Sequence, residues 1–240
     1  MFIPLPSTPS TQKSFKPRAV QFLIVANILV FIYQLYALYQ GVLLAEVSGA
    51  IPSQIVHRYW LLPPLPNLCD KTLLTSLFLH DVHILQGGVI HIVGNMLYLS
   101  AFGPTLESMI GSLKFLVFYL LCGVLATLCY VMIYYDSNLP LIGASGAIAG
   151  VMGAHFIACP RARVRCLLFI YIISVPAIVL LLPWIAIQLI NMYFSFQGAS
   201  IAWVAHVGGF GVGMFLIGKF QRTWFRSKHE AVHIRPYVRQ

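Results

Sequence analysis

Six apolar stretches dominate this chain of 240 residues and restrict the folds that are open to it. A helix needs roughly 20 apolar residues to cross a hydrocarbon core about 30 Å thick. Charged residues make up only 9% of the chain, against about 25% in soluble domains. The sequence therefore predicts an all-α polytopic membrane protein with six transmembrane helices. The predicted spans are residues 19–39, 88–106, 113–135, 145–159, 166–192 and 201–220.

The cations of the chain indicate which side of the membrane each segment faces. With both termini inside, every Lys and Arg except Arg58 and Lys71 lies in an inner segment, as the positive-inside bias predicts. The net charge of +9 is therefore explained by cations at the inner membrane surface, and no nucleic-acid partner is expected. In the long outer loop, residues 60–66 are too short and too rich in proline to span, and we expect them at the interface.

These assignments divide the chain into three parts in a cell (inner) membrane. Residues 1–18 form a cytoplasmic N-terminal segment, and residues 19–220 form the six-helix membrane domain, whose outer loop is 41–87. Residues 221–240 form a basic cytoplasmic tail expected to touch anionic lipid headgroups. The sequence does not define an oligomeric state.

Strongly polar side chains in a membrane span are costly and point to function. Helix two carries His91 and Asn95, helix four begins at Ser145, and helix six carries His206. At a rise of 1.5 Å per residue, all four residues lie about 18 to 24 Å from the inner ends of their helices. We therefore predict that they share one site in the outer half of the membrane. The other polar residues are interpreted as bonds between helices or interface residues: Asn27, Gln34, His155, Gln188 and Asn191.

Small residues recur on helices four and six at a spacing that favours close packing. Gly146 and Gly150 lie on one helix, and Gly209 and Gly213 lie on the other. Gly143, just before helix four, is grouped with these packing glycines. Helix four is only about 21 Å long. Its N-terminus is therefore predicted to lie below the outer surface of the membrane and to line a cavity. The free N–H groups of the first turn would point into that cavity.

The polar residues fit the chemistry of nucleophilic acyl transfer. His206, as a base with a near-neutral pKa, takes the proton of Ser145. The oxyanion donors are the Ser145 backbone N–H, the Asn95 amide and a ring N–H of His91. No carboxylate lies at this level, so no third acidic residue is expected. The residues predict peptide-bond hydrolysis in the membrane, without a cofactor.

Three motifs resemble those of the rhomboid intramembrane serine proteases, over about residues 72–215. Residues 143–146 match the G-x-S-G motif, with Ser145 as nucleophile, and residues 205–213 resemble A-H-x-x-G-x-x-x-G, with His206 as base. His91 and Asn95 match the H-x-x-x-N motif that serves the oxyanion, and residues 102–107 follow the pattern after it. The resemblance implies a six-helix bundle with a short central fourth helix. The implied substrate is a transmembrane segment of another protein, cut near its outer end after a small residue.

The chain departs from the family pattern at two places. Where some members carry an aromatic side chain against the base, four residues after Ser145, this chain has Ala149, so another group must orient His206. The outer loop at residues 57–60 lacks the clear Trp-Arg signature.

Other readings of the polar residues stay open. A metal site from His80, His83 and His91 lacks a carboxylate or cysteine to complete it, so no metal is predicted. A transporter would be expected to show intramembrane charges or a repeat, and neither is visible. A non-catalytic relative that binds membrane helices would lack the dyad, whereas both members are present here.

Overall fold

The computed structural model describes residues 2–6, 15–57, 70–83, 87–195 and 202–233. Arg58, the interfacial stretch at 60–66 and the end of the basic tail lie outside these ranges. Five described helices are long and apolar enough to cross a membrane, and a sixth apolar helix is shorter. The five are α1 (Arg18–Tyr39), α5 (Gly88–Ile110), α6 (Ser112–Ile133), α8 (Ala177–Ser195) and α9 (Ala202–His233).

The shorter helix is α7 (Ser145–Ala158), the predicted short fourth helix. The segment between α1 and α5 contributes only short pieces. They are α2 (Leu44–Ser48), α3 (Pro52–His57), α4 (Thr72–Thr75) and a 3₁₀ turn at Ser76–Phe78. The polytopic helical bundle is thus confirmed. Helix α9 extends well beyond the predicted end at residue 220.

Helix α7 forms the centre of the bundle. Its residues from Gly146 to His155 are all buried, and α5, α6, α8 and α9 pack around it. The approach of α9 is so close that a Cβ on Gly209 would overlap the carbonyl oxygen of Gly146. A Cβ on Gly213 would likewise overlap the carbonyl oxygen of Gly150. The small residues of both helices therefore lie at one interface, as their spacing predicts.

Gly143 has a different role from the other four glycines, so its assignment to helix packing was wrong. It lies in the loop before α7 with φ of +122°, a backbone conformation that side-chain-bearing residues rarely adopt. Its N–H donates to the carbonyl of Ser76 at 2.9 Å. This turn determines where Ser145, the first residue of α7, enters the bundle.

The start of the predicted fifth span was also wrong. Residues 163–176 form an antiparallel hairpin, β2 (Arg163–Leu168) and β3 (Tyr171–Pro176), and α8 begins only at Ala177. Phe169 has φ of +54° at the first position of the two-residue turn, as a type II′ turn requires. The hairpin gains a third strand from the N-terminal segment, where β1 (Phe2–Pro4) pairs with β2.

A buried carboxylate fixes the beginning of α1. Glu107, near the end of α5, is fully buried and accepts hydrogen bonds from the backbone N–H groups of Ala19 and Val20 at 3.0 and 2.9 Å. The Ser112 hydroxyl donates to it at 2.6 Å. The carboxylate satisfies N–H groups that have no partner within their own helix and complements the positive end of the helix dipole. It joins α1 to the junction of α5 and α6.

The α7–α9 contact predicts a specific stability effect. Gly213→Ala should destabilise the fold by about 1–3 kcal/mol, because the new Cβ would meet the Gly150 backbone, whose Cα lies 2.7 Å away. Gly211→Ala on the same helix is the control, since a Cβ there meets nothing within 4 Å. Thermal unfolding in detergent measures both variants. An equal midpoint for the two would contradict this packing.

Candidate active site

The predicted nucleophile and base lie within hydrogen-bond distance of each other. Ser145 begins α7, His206 lies in the second turn of α9, and the Ser145 Oγ is 2.8 Å from the His206 Nε2. Both side chains are half-buried. The glycine contacts described above bring the two helices close enough for a short serine side chain to reach the ring.

The second ring nitrogen of His206 contacts a residue that the sequence analysis treated only as a bond between helices. Gln188 of α8 places its Oε1 2.7 Å from the His206 Nδ1. Trp184, one turn earlier on α8, lies against the same ring with centroids 5.9 Å apart. Trp203 meets the ring edge-on at 6.1 Å. These groups surround the imidazole in place of an aromatic residue at position 149, where Ala149 is fully buried.

His91 and Asn95 line the same cavity as the Ser–His pair. The cavity has a volume of about 380 Å³, and its other walls are mainly apolar side chains. They are Ile90, Tyr98, Ile142, Ile148, Met152 and Trp184, together with Gly94. Polar groups that converge on a mainly apolar cavity are typical of a binding site for a small group or chain segment. The structure thus brings all four predicted polar residues together around one space.

Asn95 is held by a histidine from the loop before α5. Its Nδ2 donates to the Nε2 of His80 at 3.0 Å, and the His80 Nδ1 lies 3.3 Å from the carbonyl of Phe78. A carbonyl only accepts, so Nδ1 carries the proton and Nε2 is free to accept from Asn95. Burial, and to a smaller extent the neighbouring His91, lowers the pKa of His80 to about 4, so the ring is neutral at pH 7.

The loop that carries His80 is itself attached to α1. The Gln34 amide donates to the His80 carbonyl and accepts from its backbone N–H, both at 2.9 Å. In the sequence, His80 stands out only as a possible metal ligand with His83 and His91. Its ring lies 5.2 Å from that of His91. Among the described residues, no three His, Cys, Asp or Glu side chains form a group that could hold a metal ion.

Asn27 and His155 do not line the cavity. The Asn27 amide donates to the Leu23 carbonyl within its own helix at 2.7 Å. His155 is fully buried in α7 and packs edge-on against Phe102, with ring centroids 5.2 Å apart. It therefore lies between α7 and α5, in agreement with its interpretation as a residue between helices.

Fold and site together define a polytopic helical membrane protein with a Ser–His pair inside the bundle. The family model described as the Rhomboid domain matches residues 71–222. The chain belongs to the rhomboid family.

Curated relatives agree with this assignment. Rhomboid protease GluP of Bacillus subtilis is 32% identical over 144 residues, which are 60% of this chain and 24% of that protein. The mitochondrial presenilin-associated rhomboid-like protein A of Danio rerio is 33% identical over 146 residues, or 60% and 37% of the two chains. Rhomboid protein 1, mitochondrial, of Saccharomyces cerevisiae is 31% identical over 147 residues, or 58% and 38%. The match spans less than half of each relative.

Proposed function

We propose that this chain is an intramembrane serine endopeptidase that hydrolyses peptide bonds in or near transmembrane segments of other membrane proteins. The observation that carries the proposal is the 2.8 Å contact between the Ser145 Oγ and the His206 Nε2 beside a cavity inside the bundle. A serine hydroxyl is a weak nucleophile until a base removes its proton, and this contact supplies the base. One relative is named as a rhomboid protease, which supports the same activity.

In the proposed first step, the Ser145 hydroxyl attacks the carbonyl carbon of the substrate while its proton passes to the His206 Nε2. The carbonyl oxygen becomes an oxyanion. As the first residue of α7, Ser145 has a backbone N–H without a carbonyl partner in its own helix. We assign this N–H, the Asn95 amide and the His91 ring as oxyanion donors, a role in which preorganised donors lower the barrier most.

In the second half of the reaction, His206 returns its proton to the leaving amine as the carbon–nitrogen bond breaks. A water molecule then hydrolyses the acyl-enzyme ester, again with His206 as base. Asn95 has two amide hydrogens, and only one is used by His80. The second is available to the oxyanion, and the neutral His80 fixes the amide as a donor rather than an acceptor.

The orientation in the membrane is part of this proposal and is inferred from charge. The cation asymmetry favours both termini on the inner side, so the cavity would open toward the outer face. Arg161, Arg163 and Arg165 are exposed at the β2 end of the hairpin and would lie at the inner surface with Lys219 of α9.

A fluorophosphonate probe on the intact chain in detergent tests the proposed activity without knowledge of the substrate. Attack by Ser145 would form an Oγ–phosphorus bond and release fluoride, with the hydroxyl proton passing to His206. We expect the mass of the adduct on the peptide that contains Ser145 and no adduct on Ser100, a half-buried serine of α5. A folded chain that stays unlabelled would contradict the activation of Ser145 and would favour a non-catalytic relative.

A further inference from the structure

The imidazole of His206 has a hydrogen-bond partner at each ring nitrogen. The proposed reaction uses only the nitrogen that faces Ser145. The Gln188 Oε1 lies 2.7 Å from Nδ1, and the Ser145 Oγ lies 2.8 Å from Nε2. An amide oxygen only accepts a hydrogen bond, so the hydrogen must sit on Nδ1. Nε2 then carries the lone pair and faces the serine hydroxyl. This is the tautomer that a general base requires.

Gln188 lies on a buried face of α8, so its contact with His206 is part of the packed interior of the bundle. Gln188 is only 5% exposed within a strongly apolar helix. A buried amide costs free energy unless it is hydrogen-bonded, so the bond to His206 stabilises Gln188 as well as the ring. Trp184, four residues earlier, lies on the same face of the helix and packs against the same imidazole.

We propose that Gln188 is the positioning residue of the candidate site and selects the tautomer and orientation of His206. The inference rests on the proposed serine endopeptidase function and adds a third member to the Ser145–His206 pair. In triads the third residue is commonly a carboxylate, which both orients the histidine and stabilises its charged form. A neutral amide supplies the orientation, and it stabilises the charged ring less than a carboxylate would. That function fits a site where, among the described span residues, no carboxylate contacts the ring.

The aromatic neighbours of His206 cannot replace this role. Trp184 and Trp203 restrict the tilt of the imidazole through ring contacts at 5.9 and 6.1 Å. Neither contact distinguishes a hydrogen on Nδ1 from one on Nε2. Without an acceptor at Nδ1, the ring could place its hydrogen on Nε2 and point it at the Ser145 oxygen, and the base would be lost.

The first test reads the tautomer directly and does not depend on activity. In the full chain with ¹⁵N-labelled histidine in detergent, the ring nitrogens of His206 are assigned by their loss in His206→Ala. We expect a protonated Nδ1 and an unprotonated Nε2 in the wild type. Gln188→Leu should shift the population toward a protonated Nε2. Gln188→Glu keeps an acceptor oxygen and should keep the hydrogen on Nδ1.

The second test measures cleavage of a tagged single-span membrane substrate by the same variants. Gln188→Leu should lower kcat by about 10- to 100-fold, the usual effect of removing a partner from a buried hydrogen bond, with KM within about twofold of the wild type. Gln188→Glu should recover most of the rate. Asn191→Leu is the matched control, because it exchanges an amide for leucine on the same helix without touching either ring nitrogen.

The outcomes separate this inference from the proposed function. A wild-type His206 that carries its hydrogen on Nε2, or a Gln188→Leu variant with unchanged tautomer and kcat, would overturn the inference while Ser145-dependent cleavage still held. A wild type that neither cleaves nor labels, but whose tautomer follows Gln188, would support the hydrogen bond and overturn the protease. If Gln188→Leu fails to fold, Gln188→Met, of similar length, serves for both measurements.

Discussion

Ser145→Ala is expected to lower cleavage of a tagged single-span substrate by at least about a thousandfold, with the protein still folded. The substitution removes only the hydroxyl at the first residue of α7, whose hydrogen-bond partner is the His206 ring. Without the Ser145 Oγ no acyl-enzyme can form, and the oxyanion donors cannot replace the missing nucleophile. Cleavage in proteoliposomes, followed by the appearance of the tagged fragment, measures the loss.

A second serine of the membrane helices provides the control for this experiment. The hydroxyl of Ser100 donates to the Leu97 carbonyl within α5 at 2.8 Å and does not line the candidate site. Ser100→Ala should therefore keep the wild-type rate. If Ser145→Ala keeps that rate as well, the nucleophile lies elsewhere and the proposed mechanism is wrong. Thermal unfolding of both variants separates lost chemistry from lost structure.

Four residues of the site, Ser145, His206, His91 and Asn95, could be predicted because each of them has a local sequence signal. Most of the spans are evident from apolar length, the start of the fifth excepted, and the close α7–α9 packing follows from glycines four residues apart. His91 and Asn95 are also four residues apart and so share a helix face. A depth estimate from the helix ends then placed them level with Ser145 and His206, and the four residues do line one cavity.

The hairpin could not be distinguished from a helix by hydrophobicity. Residues 166–176 are almost all apolar, and a continuous apolar run fits a buried strand as well as a membrane helix. The useful signal was the alternation at the start of β2, where Arg163 and Arg165 are exposed while Val164 and Cys166 are buried. That alternation covers only four residues. The partner strand at Phe2–Pro4 is far away in the sequence, so its pairing had no local signal.

The contacts of Gln188 and His80 depend on tertiary geometry that no local pattern contains. Gln188 stood out only as a polar residue in an apolar helix, and its partner is fixed by the rotation of α8 against α9. His80 reaches Asn95 because the loop before α5 is held by Gln34 of α1. In both cases a polar residue was visible in the sequence, but its partner lies on an element whose relative position only the packed structure defines.

His206→Ala is expected to lower the rate of fluorophosphonate labelling at Ser145 by about a thousandfold, because the hydroxyl then has no base 2.8 Å away to accept its proton. The second-order rate constant for labelling reports the reactivity of Ser145 toward the probe and requires no peptide substrate. His83→Ala, at an exposed loop histidine, should keep the wild-type rate. If His206→Ala also labels at that rate, Ser145 is activated by another group. If the residues act as one unit, adding His206→Ala to Ser145→Ala should lower substrate cleavage no further than Ser145→Ala alone.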